Sequence, residues 1–108
     1  MERLNYLPLG SQVVLKGDFR KTMIISRGLL VDINGEKVFF EYAGCQYPEG
    51  LVGDKVLYFN HEDISKVVFE GYSDDENKCF VNNINDMVEK SNVVKGNTIE
   101  LKKKMGDN

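Results

Sequence analysis

Residues 22–43, TMIISRGLLVDINGEKVFFEYA, contain the strongest indication of the fold in this chain. The pair Asn34-Gly35 lies between two apolar runs that are rich in β-branched and aromatic residues. Both central positions of a type I′ turn need positive φ, which Asn and Gly tolerate, so we predict a β-hairpin with strands over 22–33 and 37–43. The triplet Ser26-Arg27-Gly28 interrupts the first strand and predicts a bulge or a bend.

Weaker patterns extend the sheet on both sides of this hairpin. Residues 12–16 alternate between apolar and polar after a Pro-Gly turn, and short apolar runs predict further strands at 56–59 and 66–70. Residues 44–55 contain three glycines and a proline, which predict a loop. Residues 60–63 predict one helical turn with Asn60 as its N-cap.

The hydrophobic period becomes helical after Gly71. Ser73 and Glu76 have the spacing of a capping box, with the serine at the N-cap and the glutamate at N3. Apolar residues then recur at helical spacing, which predicts an amphipathic helix from about 74 to 91. They are Phe80, Ile84, Met87 and Val88. The pattern predicts an α+β fold, an antiparallel sheet or small open barrel of about five strands with one C-terminal helix packed on it.

The length of 108 residues fits a single domain, with residues 1–6 as a lead-in and 92–108 as a tail. A final edge strand near 98–101 stays open as an alternative to a loose tail. No apolar run has the length of a signal peptide or a membrane span, so we expect a soluble, cytoplasmic protein. The formal net charge of −3 disfavours a nucleic-acid partner, because acidic domains repel phosphates.

The titratable residues do not form a recognisable catalytic set. His61 is the only histidine, and Cys45 and Cys79 are too far apart in sequence for a zinc or redox motif. Cys45 as a nucleophile with His61 as its base would lack a third group to orient the histidine. Glu49 could pair with a carboxylate of segment 62–70 as in a glycosidase, but an acidic domain offers such pairs by chance. We therefore expect no enzymatic activity, no cofactor and no metal.

Apolar side chains occupy both faces of several predicted strands. The adjacent pairs are Ile24 with Ile25, Phe39 with Phe40, and Val67 with Val68. One helix covers only one face, and burying such a side chain is worth roughly 1.5–3 kcal/mol. We therefore expect the second face to close into a barrel or to meet another polypeptide.

Four strings of residues carry a resemblance to a known family. They are LPLGSQVVL at 7–15, MIISR at 23–27, YAGCQYPEG at 42–50 and FNHEDISKVVFEGY at 59–72. Over residues 7–89 the chain resembles a small bacterial domain family of unknown function, encoded beside LXG-type toxins of the Gram-positive type VII secretion system. The resemblance implies a chaperone or targeting adaptor that binds the helical N-terminal region of such a toxin, with small helical targeting proteins as further partners.

Tyrosines near the predicted loop and strand ends combine apolar area with a polar tip, a mixture that is favoured in interfaces. The alternative, in which these rings cap the sheet and hydrogen-bond the backbone, stays open. The predicted partner-binding residues are Tyr42, Cys45, Tyr47, Pro48, Glu49, Tyr58 and Tyr72. Alternatives to the adaptor role are an immunity protein that blocks the toxin's C-terminal domain, an enzyme with Cys45 as nucleophile, and a homodimer that seals its own apolar face.

Overall fold

The computed structural model describes residues 2–98. Within them lie five strands, one 3-10 turn and one α-helix. The strands are β1 (Gln12–Leu15), β2 (Lys21–Ile33), β3 (Glu36–Gln46), β4 (Leu57–Phe59) and β5 (Ile64–Phe69); the turn is His61–Asp63 and the helix is α1 (Asp75–Lys90). All paired strands are antiparallel, and they form an open sheet in the order β4-β3-β2-β1-β5. The predicted α+β fold is confirmed, with an open sheet.

The central hairpin has the predicted turn. Ile33 pairs with Glu36, which leaves a two-residue connection between β2 and β3. Asn34 has a φ of 54° and Gly35 a φ of 86°, the conformation that a type I′ turn requires. The Asp32 carboxylate adds a hydrogen bond by accepting from the Gly35 N–H at 2.9 Å.

A bulge interrupts β2 near the predicted position. The register with β3 shifts by one residue between Ile24 and Ser26, so that Ile25 is the extra residue. Gly28 follows with a φ of +66°, and a Cβ there would lie 2.9 Å from Cγ2 of Ile84 on α1. A glycine at this position therefore lets the helix approach the sheet closely.

Strand β3 is longer than the sequence predicts. It continues to Gln46, so the prediction of a loop from Gly44 is wrong for residues 44–46. Gly44 pairs with Ile24 on one side and Leu57 on the other. A Cβ at Gly44 would lie 2.7 Å from the Met23 carbonyl oxygen, so this glycine permits a close approach between strands.

The core lies between one face of the sheet, α1 and the N-terminal segment. Its buried members are Tyr6, Leu7, Val13, Ile24, Phe39, Tyr42, Phe59, Val81, Ile84 and Val88. The Tyr42 ring stacks on Phe59 with centroids 5.5 Å apart and meets Tyr6 edge-on at 5.6 Å. Phe40 is also fully buried and packs beside Tyr58, at a centroid distance of 5.9 Å.

Both ends of the described chain pack on the domain. The predicted lead-in lies along α1, where the Asn85 side chain accepts from the Leu4 N–H at 3.0 Å and donates to the Leu4 carbonyl at 2.9 Å. After α1, Phe39 donates its N–H to Val94 and accepts from the Gly96 N–H, both at 2.7 Å. Because β2 occupies the other edge of β3, segment 94–96 lies on the same edge as β4. Residues 99–101 of the open prediction for a final strand lie outside the described residues.

The N-terminus of α1 differs from the predicted capping box by one residue. Asp74 is the N-cap and its carboxylate accepts from the Asn77 N–H at 2.9 Å. Ser73 instead accepts from the Asn77 side-chain amide at 3.1 Å. The prediction of Ser73 as N-cap with Glu76 at N3 is therefore wrong, because serine and aspartate are both favoured N-caps and the adjacent Asp74 takes the position.

Candidate partner-binding surface

The structure distributes the predicted partner-binding residues over several places. Tyr42 and Cys45 are buried in β3, and Tyr58 is half-buried in β4. Tyr47, Pro48 and Glu49 lie together on the exposed loop after β3, and Tyr72 lies apart from them in the connection between β5 and α1. The predicted set therefore does not form one continuous surface.

Tyr42 has a role inside the domain. Its hydroxyl accepts from the Leu7 N–H at 3.0 Å and lies 3.1 Å from Nδ1 of His61. Burial raises the pKa of Tyr42 to about 12, partly opposed by the hydrogen bond from Leu7. Tyr42 therefore hydrogen-bonds the backbone inside the domain, which was the alternative to its role in partner binding.

The residues weighed for catalysis are apart as well. His61 is engaged with Tyr42 through Nδ1, and no hydrogen bond joins it to the buried Cys45 in the described part of the chain. Within residues 2–98, no three His, Cys, Asp or Glu side chains are grouped so that they could hold a metal ion. The same residues contain no helix that is long and apolar enough to cross a membrane.

A groove between β2 and α1 gathers exposed apolar side chains. We call it the β2–α1 groove; it has a volume of about 470 Å³. Its lining includes Leu9, Ile25, Arg27, Tyr72, Asn77 and Phe80. Tyr72 is 81% exposed, Leu9 51% and Phe80 48%, and contiguous exposed apolar side chains of this kind mark interaction sites.

Sequence reasoning found Tyr72 but missed the other groove residues. Phe80 was assigned to the buried stripe of α1, whereas the structure buries Val81 and leaves Phe80 half-exposed. Phe80 and Val81 both have helical spacing to Ile84 and Val88, so the periodicity cannot distinguish them. Leu9 lies within a turn and carries no pattern of its own.

Arg27 lies at the base of the groove and is only 7% exposed. Its Nη1 donates to the Asn77 side-chain oxygen at 2.6 Å and to the Leu7 carbonyl at 3.3 Å. The Phe80 ring centroid lies 5.2 Å from the guanidinium carbon, within the range of a cation–π contact. Burial lowers the pKa of Arg27.

Strand β5 forms one edge of the sheet and carries exposed apolar side chains of its own. Val67, Val68 and Phe69 are all exposed, and β5 pairs with β1 on one side only. Two register shifts against β1 show that the strand is bulged. Bulges twist an edge strand and reduce indiscriminate pairing, and the charged Lys66 in its middle has the same effect.

A second exposed region lies at the loop end of the sheet. Phe19 is 90% exposed in the connection between β1 and β2, and Leu51 and Val52 are exposed in the loop after β3. The ammonium of Lys21 lies 4.8 Å from the ring centroid of Tyr47. This region contains three predicted residues, Tyr47, Pro48 and Glu49. The cavity that Glu49 lines there shares no lining residue with the β2–α1 groove.

Comparison with known proteins assigns the chain to a family. Residues 6–80 match the model of a domain of unknown function, DUF4176. No curated protein and no solved structure was found to match the chain. The matched residues include all five strands, the start of α1 and every groove residue named above. Because the match spans more than half of its length, the chain belongs to the DUF4176 family of domains of unknown function.

Proposed function

We propose that this domain is a non-enzymatic binding protein, a cytoplasmic chaperone or targeting adaptor for an LXG-type toxin of the type VII secretion system. The observation that carries the proposal is the grouping of exposed Leu9, Tyr72 and Phe80 around the β2–α1 groove. Aromatic side chains in such a groove are the usual anchors of a protein interface.

The proposed partner surface is a helix from the toxin's N-terminal region. An amphipathic helix carries apolar side chains along one face, at positions i, i+3, i+4 and i+7. Such a face can pack against the apolar side chains that line the groove. The resemblance to a family encoded beside LXG-type toxins supports the choice of partner, and small helical targeting proteins are further candidates.

Co-purification tests the proposal. The tagged domain is expressed with the helical N-terminal region of the LXG-type toxin encoded beside it, and the affinity is then measured for Tyr72→Ser and Phe80→Ser. Each truncation of an interface anchor is expected to cost roughly 1–2 kcal/mol, a loss of about five- to thirtyfold in affinity. Phe19→Ser is the matched control, because Phe19 is also an exposed aromatic but lies in the connection between β1 and β2.

Three outcomes would contradict the adaptor role. Independent migration of domain and toxin region on size exclusion at micromolar concentration would exclude the complex. Capture of the toxin's C-terminal domain instead would indicate the alternative of an immunity protein. A dimer of the domain alone that dissociates in Phe80→Ser would show that a second copy occupies the groove.

A further inference from the structure

Within the part of the chain that the structure describes, Arg27 is a buried cation without an anionic partner. No carboxylate lies within 4 Å of its guanidinium among residues 2–98. Both of its hydrogen bonds use Nη1, while Nε is buried and has no partner in the described part of the chain. A buried charge without a counter-ion is strongly unfavourable, so an anion placed beside Arg27 would offset part of that cost.

The unbonded Nη2 of Arg27 suits one kind of ligand. A guanidinium N–H forms a charge-assisted hydrogen bond with a carboxylate. Nη2 is the donor left for it, because Nη1 is already bonded and Nε is enclosed by the protein. The exposed Tyr72 and Phe80 lie in the same groove and offer apolar surface for the group that carries the carboxylate.

We propose that the β2–α1 groove binds an acidic side chain, Asp or Glu, that lies next to an apolar side chain on the protein partner, with Arg27 as the counter-ion. The inference rests on the proposed function in that the partner is a protein. To that function it adds which side chains the partner must present at the groove, an acidic one beside an apolar one.

Two carboxylates on the groove wall, Asp74 and Glu76, favour a cationic ligand instead. Asp74 already caps α1 by accepting from the Asn77 N–H, and Glu76 is exposed to solvent. Solvated carboxylates gain little from a further partner, whereas a buried cation without a counter-ion is costly to the fold. The observations therefore favour an anionic ligand, and the test includes the cationic one.

The experiment titrates the ¹⁵N-labelled chain of 108 residues with three probes that share one ring: 3-phenylpropionate, 3-phenylpropanamide and 3-phenylpropylammonium. The propionate should shift the Arg27 Nε–H signal and the backbone amides of Tyr72 and Phe80 to saturation. We expect it to bind at least about tenfold more tightly than the neutral amide, since a charge-assisted pair is gained. The ammonium probe should bind most weakly.

Two variants test whether Arg27 causes the preference for propionate over amide. Arg27→Met should bind the propionate and the amide equally. Asn77→Asp should also reduce the preference, because its carboxylate would replace the side-chain oxygen that lies 2.6 Å from Nη1 and supply an internal counter-ion. Arg20→Met, which changes an exposed arginine in the connection between β1 and β2, is the control and should keep the preference.

The wild-type titration alone can overturn the inference, so a variant that does not fold leaves the test intact. Equal binding of propionate and amide, tightest binding of the ammonium probe, or no groove shifts with any probe up to its solubility limit would each contradict it. Retention of the preference in Arg27→Met would do the same. Because no probe requires the toxin, a failure here with intact toxin binding refutes this inference and leaves the proposed function standing.

Discussion

Gly28→Ala tests how the sheet and α1 are held together beside the groove. Gly28 has a φ of +66°, and an added Cβ would lie 2.9 Å from Cγ2, 3.2 Å from Cγ1 and 3.3 Å from Cδ1 of Ile84. Ile84 is buried in the core, so it cannot turn away into solvent. The methyl group must therefore push α1 from β2 or distort the strand.

The expected cost has two parts. A left-handed conformation costs a non-glycine residue about 1–2 kcal/mol. Overpacking against Ile84 adds about 1–3 kcal/mol, as for an extra methyl group in a packed core. Gly28→Ala should thus lower the free energy of unfolding by about 2–5 kcal/mol, a large part of the roughly 5–15 kcal/mol of a typical domain.

Urea unfolding measures this cost, with Gly35→Ala as the matched control. Gly35 also has positive φ, +86°, but no atom lies within 4 Å of an added Cβ, so only the conformational part should appear. Ile84→Ala removes all three contacting atoms. In that background Gly28→Ala should cost only the conformational part, which gives a coupling energy of about 1–3 kcal/mol between the two sites.

A cost for Gly28→Ala no greater than that for Gly35→Ala would refute the reasoning, because strain alone would then explain both. A coupling energy near zero would show that Ile84 is not the obstacle. Retention of full stability would mean that the helix does not pack against β2 as closely as the structure places it.

The remaining predictions concern Tyr42 and the segment after α1. Tyr42→Phe removes the acceptor of the buried Leu7 N–H at 3.0 Å and should lower the free energy of unfolding by about 1–3 kcal/mol in urea titrations. Burial raises the pKa of Tyr42 from 10.0 to about 12. The contribution that protonated Tyr42 makes to the free energy of unfolding is therefore fully present below pH 10 and is lost as pH rises through about 12. Unfolding curves over that window should therefore show a steeper alkaline decline for wild type than for Tyr42→Phe. Gly96→Ala places a Cβ in steric overlap with the ring of Phe40 and should release segment 94–96, which hydrogen exchange would detect as faster exchange of the Phe39 N–H.

The parts of the fold that local chemistry specifies could be predicted from sequence. The two-residue turn needs positive φ at both positions, and Asn34-Gly35 is a pair that tolerates it. The helix could be predicted from the spacing of its apolar residues alone. The end of β3 could not be predicted, because Gly44 carries turn propensity and stays extended only through its pairing with β2 and β4. The pairing of segment 94–96 with Phe39 has the same origin, a contact between residues far apart in sequence.

The candidate site was less predictable than the fold, since its residues come from three separate segments. Tyr72 was found because an aromatic near a strand end is visible in sequence. From sequence, Arg27 could be identified only as part of the predicted bulge in β2, and its burial becomes visible only when α1 and the N-terminal segment are placed over it. Its burial depends on hydrogen bonds to Leu7 and Asn77, which are twenty and fifty positions away. Sequence patterns describe one element at a time and contain no sign of such an arrangement.

The net charge of the chain and the charge at the base of the groove point to different partners. A net charge of −3 favours a basic partner at long range. Such attraction is screened within about 8–10 Å at physiological salt. Arg27 is desolvated, so its attraction for an anion acts in a low dielectric at the point of contact. Long-range charge affects how fast a partner arrives, whereas the desolvated contact decides how long it stays. A partner that is basic overall and has one acidic residue beside an apolar anchor would meet both requirements, the long-range attraction and the local contact. Arg27 would distinguish this partner from others by pairing with its acidic residue.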